Sequence, residues 1–221
     1  MKTEKEKGAI QDPALSALRQ SAEGGDAEAQ YQWALRCEEG RGVPQSAKQA
    51  VEWFARAAEQ GHGPAQLSLG MLYEDGTGLS PNEVEAARWY ERAASQGIAE
   101  AQLYLARLFA EGRGVERDDG RALAWYRKAA DQGETDAQFE LALLYALGQG
   151  VEKDDAEAVR WYRLAAEQGH MDAQFNLAFM YEEGQGLPQD RKEALVWYRK
   201  AAEQGDEEAQ KKVAALSGKR R

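Results

Sequence analysis

The dipeptide Ala-Gln occurs at Ala29/Gln30, Ala65/Gln66, Ala101/Gln102, Ala137/Gln138, Ala173/Gln174 and Ala209/Gln210, each pair 36 residues after the one before. An unbroken period of that length leaves few folds open, because each copy must be one small structural unit that buries its apolar face on the next. Other residues keep the same clock. Tryptophan returns at Trp53, Trp89, Trp125, Trp161 and Trp197, and an Ala-Ala pair follows each time, from Ala57/Ala58 to Ala201/Ala202. Five full repeats therefore run from Asp26 to Gly205 without an insertion.

Each repeat carries two helical patterns. In the fourth, Ala137, Leu141, Leu144 and Tyr145 fall on one face of a first helix, and Ala158, Trp161, Tyr162, Ala165 and Ala166 on one face of a second. The alanine pairs let neighbouring helix axes approach. The tryptophans are expected to be the large buried side chains, so that Trp→Ala costs about 3–5 kcal/mol. The second helices are predicted to start at Ser46, Asn82, Asp118, Asp154 and Asp190, all good N-caps. Gln49, Glu85, Glu157 and Glu193 three residues on resemble capping boxes, with Arg121 the exception. Gly61, Gly97, Gly133, Gly169 and Gly205 mark the helix ends, where a left-handed residue is expected.

The flanks complete the array. Asp12-Pro13 opens a cap helix over 12–25, and 206–217 reads as a lone first helix closing the other end. Both are expected to turn a polar face outward, which favours a monomer. Residues 1–11 are expected to be a flexible N-terminus and 218–221 a basic, solvated tail. The repeats then span 26–61, 62–97, 98–133, 134–169 and 170–205. The first departs from the pattern at Trp33, Arg36 and Cys37, as an end repeat packed on a cap would.

The pattern A-Q-x-x-L-A-x-x-Y-x-x-G-x-G followed by D-x-x-x-A-x-x-W-Y-x-x-A-A-x-x-G resembles the Sel-1-like repeat, a relative of the tetratricopeptide repeat. The resemblance implies an all-α fold, an α/α superhelical solenoid of five 36-residue repeats with a helical cap at each end. It also implies a non-enzymatic adaptor or scaffold that binds other proteins. Its cysteine-rich secreted members carry a cysteine pair per repeat, whereas Cys37 is the only cysteine here. Its endoplasmic-reticulum members need a signal and usually an anchor. The N-terminus MKTEKEKGAIQDP lacks an apolar signal core, if Met1 is the true start, and no apolar run is long enough to span a bilayer. A bacterial, cytoplasmic member is the expected kind. Some bacterial relatives serve as immunity proteins for toxins, which gives an alternative role as inhibitor or chaperone of a basic toxin or effector.

Removing the periodic core from the first helix leaves offsets 3, 6 and 10 after the starting alanine on a shared face. These are Gln32, Leu35 and Glu39; Ser68, Met71 and Asp75; Tyr104, Arg107 and Glu111; Glu140, Leu143 and Leu147; and Asn176, Phe179 and Glu183. Analogy with tetratricopeptide arrays places this stripe on the concave side. Its apolar middle and acidic ends suit a protein or peptide with apolar anchors and basic flanks. Packing of offset 6 against the next repeat is the competing explanation. The net charge of −10 argues against nucleic acid as a partner.

No catalytic, cofactor or metal constellation emerges. A remote alternative, a β-lactamase-like hydrolase, would need Ser-x-x-Lys, and no serine here has a lysine at that spacing. His62 and His170 stand in equivalent turns three repeats apart and are expected to be turn residues. The stretch EGRGVERDD at Glu111–Asp119 suggests a phosphate loop or paired metal ligands. Its glycine pair recurs in all five repeats, however, and Asp118 is a predicted N-cap, so the stretch reads as a turn between helices.

Overall fold

The computed structural model describes residues 12–218, which form twelve α-helices and no strand. They are α1 (Pro13–Glu23), α2 (Ala27–Glu39), α3 (Ala47–Glu59), α4 (Gly63–Asp75), α5 (Glu83–Ser95), α6 (Ala99–Glu111), α7 (Asp119–Asp131), α8 (Thr135–Leu147), α9 (Asp155–Glu167), α10 (Met171–Glu183), α11 (Arg191–Glu203) and α12 (Glu207–Gly218). The expected flexible N-terminus, and residues 219–221 of the expected basic tail, lie outside the described residues. Helices α2 to α11 are the five predicted pairs; α1 and α12 are the end helices.

The chain forms two compact units, Met1–Arg117 and Asp118–Arg221. The first holds α1 to α6 and the second α7 to α12. The division falls between the two helices of the third repeat, where the sequence period shows no break. Within the first unit α2 packs on α3 and α4 on α5; within the second, α8 packs on α9 and α10 on α11. Each second helix also packs on the first helix that follows it in the same unit.

All five predicted second-helix N-caps are in place, each side chain accepting a backbone N–H from the first turn. The capping boxes are only half made. The N-cap residues donate their own N–H back to the first helix, Ser46 to Cys37, Asn82 to Tyr73, Asp154 to Tyr145 and Asp190 to Tyr181, at 2.8–3.0 Å. That bond closes the hairpin and takes the donor that a glutamate would have accepted. Glu85 and Glu157 pair with Arg88 and Arg160 instead. At the other end Gly61, at φ +89°, donates to the Ala58 carbonyl while His62 donates to that of Ala57. This is a Schellman motif.

The tryptophans are less central than expected. Trp161 and Trp197 are buried, but Trp53, Trp89 and Trp125 are half-buried. The deep position belongs to the next residue: Phe54, Tyr90, Tyr126, Tyr162 and Tyr198 are at most 3% exposed. Successive helical residues diverge by about 100°, so one ring points into the hairpin and its neighbour to the rim. There the tryptophans carry cations, with Arg56, Arg92, Lys128 and Lys200 lying 4.3, 4.5, 3.7 and 3.6 Å from the ring centroids.

The glutamine of Ala-Gln has a role that the period alone does not reveal. Gln30, Gln66, Gln102, Gln138 and Gln174 are buried polar side chains. Each donates its amide to a carbonyl eight residues earlier, at the end of the preceding helix, as Gln66 does to Ala58 at 3.0 Å. Gln30, Gln66, Gln138 and Gln174 also accept from the glutamine that ends their own hairpin, as Gln66 does from Gln96 at 2.7 Å. A buried amide has to be satisfied on both sides, and here that requirement fixes the register of successive helices.

Candidate functional site

None of the fifteen stripe residues is buried, so the stripe is left over from the core as its offsets require. Its three positions behave differently. Offset 3 is tethered to the preceding elements: Ser68 is hydrogen-bonded with Tyr31, Asn176 with Tyr162, and Tyr104 stacks on Tyr90 with centroids 5.2 Å apart. Gln32 instead donates to Glu28, one turn back, at 2.9 Å. Packing is the competing explanation for offset 6, and there it is partial. Leu35 packs on the first unit's core, Met71, Arg107 and Leu143 are half-buried, and Phe179 is 38% exposed. Offset 10 is exposed throughout, with Glu39, Asp75 and Glu111 in the first unit and Leu147 and Glu183 in the second.

The two units thus present different surfaces. In the first, Glu39 and Glu111 pair with Arg41 and Arg113, so the acidic ends are partly neutralised. In the second, Leu147 is 62% exposed at a position that is acidic in every other repeat. Leu147 and Phe179, from α8 and α10, are the two large apolar stripe side chains that stand open to solvent.

The loop at Glu111–Asp119 is what its repetition implies. Gly112 and Gly114 have φ of +70° and +66°, and Asp118 accepts the Arg121 N–H at 2.9 Å. Gly114 also has a steric reason. A Cβ there would lie 2.2 Å from the Glu83 carbonyl oxygen, so the loop rests directly on the start of α5. Between the glycines Arg113 reaches Glu83, Glu74 and Glu111 at 2.8, 3.0 and 3.3 Å. Three carboxylates already occupy the cation, which leaves no basic cradle for a phosphate.

His62 and His170 cap α4 and α10, their Nδ1 atoms accepting the N–H of Ala65 and Ala173 at 3.2 Å. Asp26 and Glu134 cap the equivalent helices, and Ile98 offers no side-chain cap. Cys37 is buried beside Gln49, and burial pushes its thiol up from the ordinary value, against nucleophilic use. Trp33 shares the first unit's core with Leu15 and Ala22 of α1, which accounts for the atypical first repeat. Among the described residues no group of three or more His, Cys, Asp or Glu could hold a metal ion, and no helix is long and apolar enough to cross a membrane.

The Sel1 repeat profile matches residues 27–62, 63–98, 99–134, 135–170 and 172–206. A search of curated proteins finds no match. Among solved structures the chain is similar to a protective antigen of uropathogenic Escherichia coli displaying an SLR fold, with 38% identity and a TM-score of 0.89 over 92% of this chain. It spans 44% of that protein's length. It is also similar to a Sel1 repeat protein from Oxalobacter formigenes, with 38% identity and a TM-score of 0.85, covering 94% of this chain and 86% of the other. A Sel1 repeat protein from Klebsiella pneumoniae shares the fold at 25% identity and a TM-score of 0.54, covering 91% and 98%. Five matched repeats and these all-helical solenoid relatives lead to one conclusion: the chain belongs to the Sel1 repeat family.

Proposed function

We propose that this protein is a non-enzymatic adaptor that holds a partner segment on the first-helix stripe, with the second unit supplying the apolar anchors. Sel1 repeat proteins mediate protein–protein interaction, and the finer reading rests on one observation. Leu147 and Phe179 stand exposed on α8 and α10, while the neighbouring core positions Leu141 and Leu177 are fully buried. Exposed aromatic and aliphatic side chains on one stripe of successive first helices are the kind of anchor on which binding energy concentrates. Glu183 beside them and the net charge of −10 favour a partner with basic flanks.

Leu147→Glu with Phe179→Glu tests the reading, since both side chains are exposed. The expected result is loss of a stoichiometric protein partner from a pull-down, with unchanged helicity by circular dichroism. Val84→Glu, at a 55% exposed apolar position on α5, should leave capture intact. Equal capture by the double variant would sink the stripe, and turnover of a substrate by the isolated chain would sink the adaptor reading.

A further inference from the structure

The two end helices are opposite halves of one hairpin. Helix α12 keeps the first-helix register: Ala209 and Gln210 open it, and Val213, Ala214 and Leu216 follow at the core spacing. Among the described residues no second helix covers it. Ala214 is exposed, whereas its counterparts Ala34, Gly70, Ala106, Ala142 and Ala178 are all buried. Gln210 is likewise exposed where the five other glutamines are buried.

Helix α1 keeps the second-helix register. Its Ala22 carbonyl accepts from Gln30 as Ala58 does from Gln66, and Gly25 takes the left-handed position of Gly61 at φ +97°. Ala14 and Ser21 are exposed, although the alanines at both of these positions are 0% exposed in all five repeats. Between them Leu18, half-buried, takes the place of Phe54 and Tyr90. The complete hairpins show what such positions touch. A Cβ at Gly70 on α4 would lie 2.6 Å from the Tyr90 ring on α5, so the Ala214 position faces the Leu18 position in a finished repeat. The open faces are therefore small-sided and mixed, with Ala14, Leu18 and Ala214 beside the polar Ser21 and Gln210.

We propose that α12 of one copy receives α1 of a second copy, with Ala214 set against Leu18, so that two molecules complete a sixth hairpin. The contact is heterologous, each copy offering one α12 and one α1, and it therefore propagates beyond a dimer. It is also weak. Gly24 stands where Gln60 and Gln96 donate to the buried glutamine, so Gln210 gains no amide partner, and no loop joins the two helices. A single helix-on-helix contact falls below the roughly 1,200 Å² of a standard interface, so association is expected only at high protein concentration.

Sedimentation equilibrium of the full chain up to about 1 mM should show an average mass rising past that of a dimer. Ala14→Glu and Ala214→Glu alter exposed positions at opposite ends, and circular dichroism should show both folded. Each alone is expected to be monomeric, while their equimolar mixture forms dimers and nothing larger, since one intact end remains on each. Leu18→Phe, which restores an aromatic ring, should strengthen wild-type association at least threefold. A wild-type chain that stays monomeric throughout overturns the proposal. So does association by either single variant that matches the wild type, which would point to a symmetric contact or to the stripe.

Discussion

In the second repeat Tyr90 is fully buried and its hydroxyl donates to Glu74 at 2.7 Å. In the first repeat Phe54 is as deeply buried, and Glu38 stands at the position of Glu74 with no hydroxyl above it. Burial, helped by the neighbouring Glu39, pushes the Glu38 carboxyl above the ordinary carboxylate range. The fifth repeat returns to the second arrangement, with Tyr198 donating to Glu182 at 2.8 Å. Burial works to raise Glu182, but Lys212 at 2.7 Å and Tyr198 outweigh it and hold the carboxyl below its ordinary range. In the fourth repeat the glutamate gives way to Ala146, and Tyr162 bonds with Asn176 instead. The hydroxyl and the carboxylate act as a pair, and in the first repeat half of that pair is missing.

The largest effects should come from the rings themselves. Phe54→Ala and Tyr90→Ala are each expected to cost about 3–5 kcal/mol in denaturant unfolding, since both positions are fully buried. Trp53→Ala and Trp89→Ala should cost about 1–3 kcal/mol, because those rings are half-buried and capped by Arg56 and Arg92. A tryptophan variant that proves the costlier in either repeat would return the core to the residue that the sequence favours.

Tyr90→Phe makes the second repeat resemble the first. Glu74 loses its buried donor but keeps Arg113 at 3.0 Å, so the expected loss is about 1–2 kcal/mol at neutral pH. Adding Arg113→Ala should enlarge it, since that cation also serves Glu83 and Glu111. If Tyr90→Phe is neutral, the hydroxyl and the carboxylate are neighbours without coupling.

Local rules made most of the fold readable. The 36-residue clock, the N-cap residues and the glycines each specify backbone geometry within one turn, and Asp118, Asp154 and Gly61 stand where those rules place them. Side-chain partners across helices were not readable, because they depend on rotation about the helix axis. Trp161 and Tyr162 are adjacent letters, yet elsewhere in the array only the second of the pair is consistently deep. Gln66 reads as a marker until its two partners, Ala58 and Gln96, are seen in space. The stripe was legible as a set of non-core offsets. That Ser68 and Tyr104 are tied to earlier elements while Leu147 and Phe179 are open follows from the neighbours' side chains, which the period does not encode.

The smallest effect is a gain. Phe54→Tyr places a hydroxyl over Glu38 in the arrangement that Tyr90 and Tyr198 already adopt. Glu38 is half-buried, so the expected stabilisation is about 0.5–1 kcal/mol at neutral pH. The sign with pH follows from linkage. A carboxyl raised in the folded state favours folding when protonated, below its unfolded value of about 4.3, and loses that advantage as pH rises through the folded value. The new hydroxyl acts on the ionised form, so its benefit should be full at neutral pH and shrink as Glu38 protonates. Unfolding of wild type and variant at pH 7 and pH 4 tests this, and a gain of equal size at both would show that the added hydroxyl acts through something other than Glu38.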